Sequence, residues 1–124
     1  MKLVEIHHVS IIVHNLERAK RFYGETLALE ELSRPPFDFE GAWYAIGTQQ
    51  LHLIVQEIKE EAPATIQTRG RHIACKVYHF DRAVQFLQDR GIETIVKKHS
   101  TSGFHQVFFT DPDGNTIEWM AEVE

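Results

Sequence analysis

Two stretches of the chain alternate apolar and polar residues in the same way. HHVSIIV (residues 7–13) and RHIACKV (residues 71–77) each read histidine, then a short apolar run with every second position apolar. That two-residue period is the mark of a half-buried strand. After each run the period lengthens. Leu16, Ala19, Phe22 and Tyr23 recur at three and four residues, and so do Phe80, Ala83, Phe86 and Leu87, which predicts an amphipathic helix in both places. Asn15 is placed to cap the first helix and Gly91 to end the second. Three short strand-like runs follow each helix: EELSR, GAWYAIG and QLHLIVQ in the first half, ETIVKK, HQVFFTD and NTIEWMA in the second. DPDGN at 111–115 and GTQQ at 47–50 occupy corresponding tight turns.

A shift of 64 positions, which lays His8 on His72, also lays Val13 on Val77, Arg18 on Arg82, Ala19 on Ala83 and Phe22 on Phe86. Each half therefore reads strand–helix–strand–strand–strand. The expected organisation is a single domain over residues 1–124. It holds a first βαβββ unit at 1–56, a polar linker at 57–70 that contains Pro63, and a second βαβββ unit at 71–124. Two copies are too few for a solenoid, so the units are expected to pair with each other.

The alternation also sorts side chains by face. If Val9, Ile11 and Val13 face the helix, His8, Ser10 and Ile12 face the other way. In the second half Ile73, Cys75 and Val77 leave His72, Ala74 and Lys76 on that far face. On the closing strands Leu51, Leu53 and Val55 are set against His52 and Ile54, and Ile117 and Trp119 against Thr116, Glu118 and Met120. The first and fourth strands of each unit thus offer two ligand-type residues, His8 with His52 and His72 with Glu118. Three imidazoles and a carboxylate suit a divalent first-row metal such as Zn, Ni, Co, Mn or Fe. On a six-coordinate ion they would leave room for two adjacent oxygens of a substrate.

Composition narrows the function classes. The chain has 124 residues, 43% hydrophobic and 25% charged, with a net charge of −5. The negative balance and the lack of a basic cluster argue against nucleic acid as a partner. No run approaches the ~20 apolar residues of a membrane span, and MKLVEIHH does not read as a signal peptide. A lone cysteine, Cys75, points to the cytoplasm as the compartment. Eight histidines spread along the chain are the one compositional oddity.

With HHVSIIVHNLERAKRFYGETLALE, LHLIV, GRHIACKV and FFTDPDGNTIEWM in view, the chain resembles the vicinal oxygen chelate superfamily: glyoxalase I, bleomycin- and fosfomycin-resistance proteins, methylmalonyl-CoA epimerase and extradiol dioxygenases. The resemblance implies an α+β fold in which two βαβββ units form a cupped, partly open mixed β-barrel with helices outside. It implies metal ligands at His8, His52, His72 and Glu118, and a homodimer. The chain departs from glyoxalase I at His52, where that enzyme usually has glutamate. It departs from extradiol dioxygenases in carrying one pair of units. The expected activity is a metal-dependent, glyoxalase-like lyase or isomerase acting on a small oxygen-rich substrate, with Glu118 moving the proton. The alternatives are a metal-poor, drug-sequestering binding protein or an Fe(II) extradiol-type dioxygenase.

Other residues have plainer readings beside the functional one. Phe39 and Trp43, in the aromatic stretch FDFEGAWY, are candidate substrate-wall residues and equally candidates for core or dimer packing. Either His105 or Gln106 must look inward, and Gln106 is the candidate substrate contact. His7, His14, His79 and His99 read as surface or loop residues. Lys76 reads as a cation that meets a carboxylate or solvent, and Cys75 as an inert core thiol.

Overall fold

The structure is a computed structural model and describes residues 1–123. The chain divides into two compact units, Met1–Glu61 and Ala62–Glu124.

In the first unit β1 (His8–Val13) leads into α1 (Leu16–Lys20), which runs on as a π-helical segment, Arg21–Thr26. Then come β2 (Glu30–Leu32), β3 (Gly41–Ile46) and β4 (Gln49–Val55). The four strands form one sheet in the order β1-β4-β3-β2. β1 runs parallel to β4 and the remaining pairs are antiparallel. The second unit repeats the plan with β5 (His72–Lys76), α2 (Phe80–Asp89), β6 (Ile95–Lys97), β7 (Phe104–Thr110) and β8 (Thr116–Glu122), in the order β5-β8-β7-β6. Both units are βαβββ and the fold is α+β. Residues 56–71 lie outside helices and strands.

Local chemistry explains the element ends. Asn15 caps α1, its Oδ1 accepting the Arg18 backbone N–H at 2.9 Å. α2 stops where Gly91, at φ +71°, takes the left-handed conformation that glycine adopts without steric cost. The turn before β8 is built on Asp111. Its Oδ1 accepts the N–H groups of Asp113 and Asn115, and its Oδ2 accepts the Asn115 amide at 2.8 Å.

The first helix differs from its pattern. Spacing alone predicts one α-helix, but beyond Lys20 the hydrogen bonding widens, and the Leu27 N–H reaches the Phe22 carbonyl at 2.8 Å. Packing accounts for this. Phe22 and Tyr23 are neighbours in sequence and both are buried, and the wider turn lets both reach the core. Gly24 meanwhile admits the Tyr44 ring, whose hydroxyl lies 3.4 Å from where a β-carbon would sit.

Each sheet buries one face under its helix. Val13, Ala42, Tyr44, Leu51 and Leu53 are buried with Ala19, Phe22 and Tyr23 in the first unit. Val107, Phe109, Ile117 and Ala121 are buried with Phe80 and Leu87 in the second. Trp119 joins that core, 5.0 Å from the Phe109 ring and 6.1 Å from that of Phe86 on α2. Each large side chain so buried contributes about 1.5–3 kcal/mol. The opposite faces carry the polar chemistry.

Candidate metal and substrate site

In the first unit the strand register puts Ser10 beside His52 and Trp43 on its other side. Across that face the rings stack. The His8 and His52 centroids are 4.1 Å apart with planes 14° from parallel. Trp43 lies on the other face of His52, also at 4.1 Å and 5° from parallel. His52 is 7% exposed. Its Nε2 meets the Gln50 side-chain oxygen at 2.8 Å. The imidazole donates in that bond, because the oxygen only accepts, so the free lone pair is on Nδ1. Burial first, then the neighbouring His8, His7 and Arg34, lowers the His52 pKa below 6.5 and favours the neutral, ligand-competent ring. His7 is exposed, as expected, with its Nδ1 2.9 Å from that of His8.

In the second unit the register sets Ala74 beside Glu118 and Phe108 on its other side. Glu118 is a buried carboxylate, 6% exposed. Its Oε1 lies 3.0 Å from His72 Nε2, and its Oε2 accepts a hydrogen bond from Gln106 Nε2 at 3.1 Å. On the far side of the imidazole, His72 Nδ1 lies 2.9 Å from the Gly70 carbonyl oxygen. A carbonyl can only accept, so the proton is on Nδ1. With Nδ1 so committed, the Nε2 lone pair of a neutral His72 faces Glu118 Oε1, a gap that a shared proton or a metal ion would bridge. An imidazole whose other nitrogen is held by a backbone carbonyl is the usual arrangement of a metal-binding histidine. The donor set and this pairing fit a divalent ion. Among the described residues, however, no three His, Cys, Asp or Glu side chains are grouped to hold one.

The structure thus brings His8 to His52 and His72 to Glu118. It settles the choice between His105 and Gln106. Gln106 shares the face of Glu118, whereas His105 lies 5.2 Å from the Phe80 ring of α2, its Nδ1 accepting the His99 N–H. Phe39 stands apart from the imidazoles. It stacks on Phe37, whose ring lies 6.1 Å from that of Trp43. Lys76 pairs with Glu122 at 3.1 Å. Cys75 is half-buried, and burial raises the pKa of its thiol. Two contacts escaped the sequence reading. Gln50 sits two positions before His52, so strand alternation alone places it on the same face. Arg34 lies in an aperiodic Arg-Pro-Pro segment that gives no such signal.

The family model of the Glyoxalase/Bleomycin resistance protein/Dioxygenase superfamily matches residues 5–119. "Glyoxylase I 4" of Arabidopsis thaliana is 29% identical over 95% of this chain and 71% of its own length. The crystal structure of a glyoxalase family protein from Enterococcus faecalis is 34% identical over 94% of this chain and 96% of that one, with a TM-score of 0.73. A crystal structure from Bacillus anthracis has a TM-score of 0.85 at 30% identity, covering 99% and 98% of the two chains.

Proposed function

Because the chain belongs to the Glyoxalase/Bleomycin resistance protein/Dioxygenase superfamily, we propose that it is a metal-dependent lyase or isomerase acting on a small substrate with two vicinal oxygens. Each unit would supply ligands to a divalent metal, His8 with His52 in the first and His72 with Glu118 in the second. Bound there, the metal supplies a Lewis acid for a developing oxyanion. The protein's own residues do the remaining work. Glu118, held by Gln106 through one oxygen, carries the proton. Gly70 fixes the tautomer of His72. Trp43, flat against His52, keeps water from one side of that imidazole.

The pairing of His72 Nε2 with Glu118 Oε1 at 3.0 Å, with Nδ1 committed to Gly70, carries this reading. A second copy of this chain is its proposed partner, and the exposed Leu3, Val4 and Ile6 beside β1, an edge strand of its sheet, support that.

Elemental analysis of the purified protein tests the reading. One divalent ion per chain is expected, lost in His72→Ala and in Glu118→Ala. Turnover of α-hydroxy-carbonyl or thiol-adduct substrates should depend on that ion. Undiminished metal content in both variants, or undiminished ligand affinity after chelation, would favour a sequestering protein instead.

A further inference from the structure

Arg34 is the cation of the first unit that has no carboxylate partner yet is firmly held. Its Nη2 donates to the Phe39 carbonyl at 2.8 Å. Its guanidinium lies 4.9 Å from the Phe37 ring centroid and 5.0 Å from that of Phe39. Nε is buried with no hydrogen-bond partner. The group rests on Gly41, where a β-carbon would run into the Leu53 carbonyl and into the guanidinium itself. Three lysines pair with acids, Lys20 with Glu31, Lys76 with Glu122 and Lys98 with Asp81, while Arg90 in the second unit, like Arg34, lies over a ring and donates to a backbone carbonyl. Asp38 and Glu40 are close to Arg34 in sequence, but no ion pair joins either to it among the described residues.

The surroundings of Arg34 lead to the imidazoles. Phe37 and Phe39, 45% and 42% exposed, meet Trp43 through Phe37, and Trp43 lies on His52. A run of neighbouring rings thus links a guanidinium with no acid partner to the imidazoles.

We propose that Arg34 anchors an anionic group of the substrate, so that the molecule this site takes carries a planar ring and a carboxylate or comparable anion besides its vicinal oxygens. This assignment rests on the metal-dependent reading above. A guanidinium already fixed by aromatic contacts loses little freedom on pairing, and a charge-assisted, two-pronged bond to carboxylate is its strongest interaction.

The test compares α-hydroxyacetophenone bearing a 4-carboxylate with its methyl ester. Both are titrated by calorimetry and tryptophan fluorescence into metal-loaded and into chelator-stripped protein. The wild type should bind the acid about tenfold tighter than the ester, and the preference should shrink as salt is added. Arg34→Gln should bring the acid-to-ester ratio to about one, while Arg34→Lys should keep part of the preference. If Arg34→Gln fails to fold, the wild-type preference and its salt dependence decide. Equal binding of acid and ester, no binding of the acid at millimolar concentration, or a preference that survives Arg34→Gln would overturn the assignment. Metal dependence is read separately. Stripping should weaken both probes alike. If it weakens neither, the metal reading fails while the acid-to-ester ratio still judges Arg34.

Discussion

Tyr44 carries its phenol into the core of the first unit, fully buried, with no hydrogen-bond partner for the hydroxyl. Burial, with the nearby Glu31 charge adding to it, raises its pKa from 10.0 to about 12. Between those values the unfolded chain has lost the proton and the folded chain keeps it. Stability is therefore complete below pH 10.0, falls as pH rises through that window, and declines no further from this group above about 12. Urea midpoints of wild type and Tyr44→Phe, measured from pH 8 upward, should diverge above pH 10 with the wild type falling faster. At neutral pH Tyr44→Phe should be as stable as wild type or more so, by up to about 1 kcal/mol, since it removes a desolvated, unbonded hydroxyl. The alternation of GAWYAIG places Tyr44 on the buried face. That its oxygen would go unpaired was not legible, because a hydroxyl's partners come from whatever packs against it, here Gly24 of the π-helical segment.

Elements fold where local chemistry and pattern agree, and the Asp111 turn is the clearest case. One carboxylate, 4% exposed, gathers three hydrogen bonds and so fixes how β7 hands over to β8, the strand that carries Glu118. Asp111→Ala should lower stability by about 2–3 kcal/mol on denaturant unfolding. Any metal affinity that depends on Glu118 should weaken with it. The turn was readable as DPDGN, and the strands around it as two-residue alternation. The shared faces of His8 with His52 and of His72 with Glu118 follow from the same alternation. The π-helical segment was not readable, because spacings of three and four suit an α-helix equally well and only the burial of adjacent Phe22 and Tyr23 separates the two. Arg34 escaped for a related reason: between Leu32 and Gly41 the chain has no period, and tertiary contacts alone place the guanidinium.

On the scale of the whole molecule, the segment before β1 leaves Leu3, Val4 and Ile6 at 89%, 91% and 62% exposure, apolar side chains that a second copy would cover in the proposed dimer. Val4→Lys should convert the proposed dimer to a species of 14.4 kDa in sedimentation equilibrium, whereas wild type should run at twice that mass. No helix among the described residues is long and apolar enough to cross a membrane. The parallel pairing of each unit's opening strand with its closing one, β1 with β4 and β5 with β8, has a consequence for biosynthesis. The strand a ribosome releases first has no ladder to join until the last of its unit emerges, so neither sheet can be completed piecemeal. Translation would set the order: the amino-terminal half could mature once Val55 is clear of the exit tunnel, while His72 must wait for the stretch that brings Glu118.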